Sequence, residues 1–378
     1  MRDSNKIKVM IVDDSLTMRL LLQGIISEAP DMEVIATAAD PLQAIEELKS
    51  IKPDVMTLDV EMPNMDGISF LQKIMNLRPL PVVMVSTLTG EGSETALKAL
   101  DIGAVDVIGK PSARAEDLKQ SVDEIITKVR AAACARVGTK APRQEVQEIV
   151  IESSAVPSTY KPQDKKQVSD HGVGNLDELL PKSIRTIPTS RPQIIAIGSS
   201  TGGPQALQEI LTKLTPVCPG IVVTQHMAVG FVPMFVNRLD KICSVKVVEA
   251  TDNMPIENGH VYIAPTQKHL TVEYTSQKYI CKILEGSAIS RHVPSVDVLF
   301  RSIANTSSKN ALGIILTGMG NDGARCLKEI KDAGGMTIAQ DEATSVVFGM
   351  PRIAAELGGV NKVLPLNKIS TEITNYCK

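Results

Sequence analysis

The chain predicts two α/β units, each a doubly wound parallel sheet, joined by a long polar linker. Three observations carry this prediction. Short apolar runs alternate with amphipathic stretches from Ile7 to about Lys128, and the same alternation resumes at Gln193 and continues to about Ile373. Between them, from about Ala131 to Arg191, the chain mixes Lys, Gln, Ser, Pro and Glu with few large apolar residues. Strand–helix alternation lays strands side by side and covers both faces with helices. The expected division is 6–128, a flexible linker over 129–191, and 192–373.

In the first unit, Lys8–Val12, Glu33–Ala38, Val55–Leu58, Val82–Val85 and Val105–Ile108 are apolar runs of strand length. Leu16–Ser27 and Leu42–Ile51 carry helical periodicity. Polar groups punctuate the strand ends: Asp13-Asp14 after the first, Asp59 after the third, Ser86 after the fourth, Lys110 after the fifth. In an open parallel sheet those ends share one edge, where ligands bind. Three clustered carboxylates repel one another unless a cation sits among them, and hard oxygen ligands suit Mg²⁺. Asp59 is then placed to accept a phosphoryl group as an acyl phosphate. Lys110 balances the phosphoryl charge and Ser86 offers it a hydroxyl. Taken singly, an Asp at a strand end is most often a helix cap and a lone Lys a solvated side chain. The conjunction is what carries the reading.

With those five residues in place, the segment resembles a response-regulator receiver domain over about 120 residues. The resemblance implies a flavodoxin-like sheet, phosphorylation of Asp59 by a chemotaxis histidine kinase, and Mg²⁺ held by Asp14 and Asp59 with Asp13 in support. Three residues before Lys110 the family often carries an aromatic that rotates on phosphorylation. Here that residue is Val107, so switching by aromatic rotation is not available in its usual form.

The linker is most polar over Ser153–Asp170, and Val173–Leu180 is expected to form a local helical turn. Beyond it, the strand expectations are Ile194–Ile197, Ile221–Thr224, Val245–Glu249, Val261–Ala264, Leu270–Tyr274, Ile280–Leu284, Leu312–Leu316 and Thr337–Gln340. Helices are expected over Gln205–Leu214, Phe231–Leu239, Asp297–Thr306, Gly323–Ala333 and Pro351–Leu357. The stretch from Val261 to Leu284 reads as an antiparallel insertion.

Ser200 lies in Gly198-Ser199-Ser200-Thr201-Gly202, a G-x-S-x-G at a strand-to-helix turn. A serine nucleophile needs a base and an orienting acid. Of the five histidines, His226 follows the strand Ile221–Thr224 and shares the carboxyl edge with Ser200; His292 is the runner-up, and His171 falls in the linker. Asp322, in Gly318-Met319-Gly320-Asn321-Asp322-Gly323, follows Leu312–Leu316 at the same edge, where it could also cap the following helix. Asp252 and Asp297 are weaker candidates. The order Ser200, His226, Asp322 differs from that of α/β-hydrolases, chymotrypsin and subtilisin.

Composition narrows the field. A net charge of −3 and no basic patch argue against nucleic-acid binding. Scarce aromatics and the absence of Trp argue against stacking on bases or sugars. Six widely spaced cysteines with no C-x-x-C suggest reduced thiols in a cytoplasmic protein. The N-terminus lacks a signal-peptide core, and no apolar run is long enough for membrane insertion.

The triad order, the glycine-rich acid loop and the receiver together resemble the chemotaxis protein-glutamate methylesterases. The matching stretches are Gly198–Pro204, Gln225-His226-Met227, Pro294–Phe300, Gly318–Gly323 and Gln340-Asp341-Glu342. The resemblance implies a Rossmann-like catalytic unit with an antiparallel insertion, catalysis by Ser200, His226 and Asp322, and oxyanion donors at the backbone N–H of Thr201 and Met319. It implies glutamyl methyl esters of methyl-accepting chemotaxis receptors as substrates, glutamine deamidation by the same route, no cofactor for the ester chemistry, and inhibition by the unphosphorylated receiver. A hydrolase acting on another methylated protein is the alternative.

Overall fold

A computed structural model describes residues 6–62, 65–87, 90–111, 115–137, 174–183 and 190–377. The linker expected over 129–191 therefore lies largely outside the described residues, as does His171. Elements run β1 (Ile7–Val12), α1 (Leu16–Ser27), β2 (Met32–Ala38), α2 (Pro41–Ser50), β3 (Val55–Asp59), α3 (Gly67–Leu77), β4 (Val82–Ser86), α4 (Gly90–Ile102), β5 (Asp106–Gly109) and α5 (Ala115–Ala133). They continue with α6 (Leu176–Leu179), β6 (Ile194–Ser199), α7 (Gly203–Leu211), β7 (Ile221–Gln225), α8 (Phe231–Ile242), β8 (Lys246–Glu249), β9 (His260–Ile263), β10 (His269–Thr275) and β11 (Lys278–Leu284). The chain ends with α9 (Val296–Thr306), β12 (Ala311–Ile315), α10 (Ala324–Asp332), β13 (Met336–Gln340), α11 (Met350–Glu356), β14 (Lys362–Leu364) and α12 (Leu366–Tyr376).

The first sheet has the order β2-β1-β3-β4-β5, and every pairing is parallel. Its strands bury both faces. Met10, Val12, Met56 and Leu58 point to one apolar cluster, while Val9, Ile11 and Val55 point to another. That two-sided burial is why the strands read as continuous apolar runs rather than as alternations. Helix starts are fixed locally: Ser15, Asp40 and Asp66 each accept a backbone N–H from the first turn of α1, α2 and α3.

The second sheet has the order β14-β13-β12-β6-β7-β9-β8, again wholly parallel. Here the structure corrects one expectation. The run beginning at Val261 is not part of an antiparallel stretch; it is β9, parallel to both β7 and β8. Among the named strands of the described residues, antiparallel pairing occurs in the hairpin β10–β11, in register from His269↔Leu284 to Thr275↔Lys278. β14 and α12 were not expected. β14 is three residues long, and Pro365 separates it from the helix.

The turn expected near Val173–Leu180 is present as α6, whose N-cap Asn175 accepts from Asp177 N. It packs on the second unit through buried Leu176.

Candidate active site

The carboxyl edge of the second sheet gathers three strand ends. β6 lies between β12 and β7, so Ser200, His226 and the loop Leu316–Gly323 emerge side by side. The chain leaves β6 toward β7 on one side and returns as β12 on the other, the arrangement that opens a crevice above an open sheet. His226 N donates to Ser199 O at 3.1 Å and Ser200 N to Thr317 O at 3.1 Å. Gln225, buried, locks both turns. Its Oε1 accepts from Ser199 Oγ at 2.6 Å, and its Nε2 donates to Ser200 O at 3.0 Å and His226 O at 2.7 Å.

The turn around Ser200 tolerates no side chains where it has glycines. Gly202 sits at φ +76, a conformation open to glycine. A Cβ on Gly318 would lie 2.7 Å from Ser200 Cβ and 2.4 Å from Met350 Sδ. The 318–319 loop is thus pressed against the serine. The N–H groups of Thr201 and Met319 donate to no acceptor among the described residues.

Asp322, 1% exposed, is held by four donors. His226 Nε2 lies 2.9 Å from Oδ2, Val296 N 2.7 Å from Oδ2, Ser295 Oγ 2.8 Å from Oδ1 and Asp297 N 3.0 Å from Oδ1. The cap is not where the sequence placed it. The N-cap of α10 is Gly323, without a side-chain bond, and the Asp322 carboxylate instead closes the N-terminus of α9. Desolvation opposes its charge, but the His226 hydrogen bond, the neighbouring rings and the α9 N–H groups outweigh it and hold the carboxyl below its usual range. An ionised carboxylate only accepts, so His226 Nε2 carries the proton. His226 Nδ1, the other ring nitrogen, is buried and without a hydrogen-bond partner.

Two further histidines, the runner-up His292 and His269, shape the same region. His292 stacks on His226 with ring centroids 3.7 Å apart and planes 5° from parallel. Buried His269 reaches Ser287 O at 3.2 Å through Nε2 and accepts from Ser295 N at 3.2 Å through Nδ1. No spacing rule signals either, because both contacts join residues far apart in sequence.

Asp297 lies beside Asp322 but is turned away from His226. It accepts from Ser290 Oγ at 3.1 Å and Cys326 N at 3.1 Å. Burial and the Asp322 carboxylate push it up to about 6. A raised carboxyl binds a proton in the folded state that the unfolded chain has lost, so stability falls as pH rises from about 4 to 6. Asp297→Asn removes that penalty while keeping one acceptor. It is expected to stabilise the protein by about 1–3 kcal/mol at pH 7.5 and by much less at pH 4, read from denaturant melts at the two pH values. Asp252, by contrast, is exposed on the hairpin side, held by Lys282 and Ile283 N.

At the carboxyl edge of the first sheet, Asp13, Asp14 and Asp59 bring oxygens within 4.8 Å of one another. Lys110 Nζ is 2.8 Å from Asp59 Oδ2 and 3.9 Å from Asp13 Oδ2. Ser86 is buried at the end of β4. Burial and the neighbouring Asp59 push Asp13 up to about 6, and burial likewise raises Asp59 against the pull of Lys110. Asp13 Oδ2 is buried without a hydrogen-bond partner. One lysine does not satisfy this donor set, and its all-oxygen composition fits a hard divalent cation.

The two units meet through α4, α7 and α8. Gln205 Nε2 donates to Leu100 O at 3.3 Å and Ala104 O at 3.2 Å. Arg238 donates to Leu97 O at 3.1 Å and pairs with Asp101. Arg136 pairs with Glu342 at 2.7 Å. No helix among the described residues is long and apolar enough to cross a membrane.

Comparison with known proteins agrees with both halves. A family model described as CheB methylesterase matches residues 195–373, and one described as response regulator receiver domain matches 9–123. A Xanthomonas campestris protein-glutamate methylesterase/protein-glutamine glutaminase is 47% identical over 96% of this chain and 99% of its own length. Its counterpart from Thiobacillus denitrificans is 43% identical over 98% and 97%. The solved Thermotoga maritima CheB methylesterase catalytic domain is 38% identical, covering 49% of this chain and 98% of that one at a TM-score of 0.48. Related to such proteins along almost their entire length, the chain belongs to the protein-glutamate methylesterase/protein-glutamine glutaminase family.

Proposed function

We propose that this protein is a phosphorylation-activated esterase that hydrolyses glutamyl methyl esters of methyl-accepting chemotaxis receptors, and deamidates receptor glutamines, through a Ser200 acyl-enzyme. The observation that carries the reading is His226: Nε2 is tied to Asp322, and Nδ1 is left as a buried, unpartnered base at the strand end next to Ser200.

In the first step His226 Nδ1 takes the Ser200 hydroxyl proton as Oγ attacks the ester carbonyl. The oxygen that gains charge is met by the N–H groups of Thr201 and Met319, donors worth about 10²–10³ each in rate where such groups have been removed. The tetrahedral adduct collapses, the C–O bond to the methoxy group breaks, and His226 returns its proton to give methanol. Water then attacks the acyl-enzyme, with His226 again taking a proton and handing it back to Ser200. With glutamine the same sequence releases ammonia. Asp322 fixes the tautomer and faces the imidazolium while it exists.

In the receiver, Asp59 takes the phosphoryl group from the chemotaxis histidine kinase, and Lys110 exchanges its contact with the free carboxylate for one with the phosphoryl oxygens. Asp14 and Asp59 would hold Mg²⁺, supported by Asp13, and when bound the ion supplies the positive charge that lets carboxylates and a phosphoryl group share one pocket. Ser86, whose hydroxyl would meet the phosphoryl oxygens, lies at the end of β4, which leads into α4, the helix docked on α7 and α8. Undocking α4 is therefore the expected consequence of phosphorylation.

The test is methanol release from radiomethylated receptor membranes with and without a small-molecule phosphodonor and Mg²⁺. Activity is expected to rise with phosphodonor and to vanish in the response of Asp59→Asn. Arg238→Ala, which loses a partly exposed ion pair, is expected to raise unphosphorylated activity by up to about fivefold and to shrink the further gain from phosphodonor. Activity indifferent to phosphodonor and to both substitutions would overturn the regulatory reading.

A further inference from the structure

We infer that His292 is a positioning residue for the base: it fixes the plane of the His226 ring by stacking on its face. The inference rests on the reading of His226 as the base. Attachment at Cβ and a hydrogen bond at Nε2 leave rotation about the long axis of the ring as the softest motion. That rotation swings Nδ1 away from the serine. Nothing in the Asp322 bond opposes it, but a second ring 3.7 Å away and 5° from parallel does.

The chain goes to some trouble to put His292 there. Ile289 and His292 exchange backbone hydrogen bonds at 3.2 and 2.9 Å, closing a two-residue turn. Both central residues, Ser290 at φ 51 and Arg291 at φ 68, lie in the left-handed region, where glycine and asparagine are the usual occupants. Strain of this kind persists only where surrounding contacts enforce it, and it gathers at functional sites. The enforcing contacts are all present. Ser290 Oγ donates to Asp297 Oδ2, and His292 Nδ1 donates to Ser290 O at 2.7 Å. His269 ties Ser287 to Ser295 across the base of the loop. Gly174 N, at the start of the segment carrying α6, donates to Ala288 O at 2.8 Å.

Electrostatics suits the same role. Burial and the adjacent His226 hold His292 down, to about 4, so it stays neutral beside an imidazolium that forms and discharges in each half-reaction. A neutral ring supports its neighbour without repelling the proton the neighbour must take.

The experiment compares His292→Phe with His292→Gln in the full-length protein, by steady-state methanol release. Phenylalanine keeps a flat face and loses both ring nitrogens; glutamine keeps polarity and loses the face. His292→Phe is expected to keep kcat within about threefold of wild type, and His292→Gln to lose about tenfold or more in kcat, with KM within about twofold in both. Equal losses, the reverse order, or a wild-type kcat for His292→Gln would overturn the inference. Melting temperatures of the two variants show whether both fold. His226→Gln is the control for the underlying reading. If it stays active the base has been misassigned, whereas an inactive His226→Gln beside an unimpaired His292→Gln removes the positioning role alone.

Discussion

Ser200→Ala is expected to lower kcat for methyl-ester hydrolysis by about 10⁴–10⁶, and Asp322→Asn by about 10⁴, each with the fold intact. The alanine removes the attacking oxygen and leaves only the N–H donors and binding contacts to act on the substrate. The asparagine is the more informative change, because it alters no shape. Asp322 is surrounded by donors alone: His226 Nε2 and Val296 N on one oxygen, Ser295 Oγ and Asp297 N on the other. An amide can accept on one side only. With its oxygen toward Ser295 and Asp297, its NH₂ opposes Val296 N–H and drives the His226 proton from Nε2 to Nδ1, where the base has to be free. With its oxygen toward His226, its NH₂ opposes the start of α9. Methanol release and labelling of Ser200 by a fluorophosphonate probe check both variants. Turnover of Ser200→Ala within tenfold of wild type would overturn the nucleophile assignment.

Much of this site could be read from strand ends. Apolar runs fix where strands stop, parallel sheets place those stops on one edge, and so Ser200, His226 and Asp322 could be named before any coordinate. The same logic gathered Asp13, Asp59 and Lys110. What sequence could not supply was partnership. The run at Val261 has the composition of any strand, and only its neighbours β7 and β8 make it parallel. Asp322 precedes one helix and caps another, because the donors it meets belong to a segment about 25 residues away in sequence. His292 and His269 sit in stretches with no periodic signal, and their importance arises from ring stacking and loop closure alone. Gln225 reads as an ordinary strand-end polar residue until its amide is seen joining the turns that carry Ser200 and His226.

Arg301→Ala is expected to destabilise the catalytic unit by about 3–5 kcal/mol, lowering its melting temperature by on the order of 10 °C. Arg301 is fully buried in α9, and its guanidinium pairs with Glu329 of α10, whose side chain is 12% exposed. Desolvation works against a charged Arg301, but the Glu329 bonds more than compensate and hold it firmly protonated. The same guanidinium reaches Asp177 Oδ1 at 2.9 Å and Leu180 O at 3.0 Å, fastening the α6 segment to both helices. Truncation strands Glu329 in a largely dry site with only Lys182 and, more distantly, Arg325 to answer it. Replacing Arg301 and Glu329 together by Met and Leu removes both charges, so the double variant is expected to recover most of the lost stability. The Asp177 contact lies on the exposed side, so Asp177→Ala is expected to have a small effect on global stability. It should instead loosen the α6 segment, seen as faster hydrogen exchange over residues 174–183. If the double variant is as unstable as Arg301→Ala, the stability comes from the bonds to Asp177 and Leu180 that Met cannot make rather than from pairing with Glu329. Within residues 174–183, Asp177 and Leu180 are thus fastened to α9 and α10, the two helices that flank Asp322.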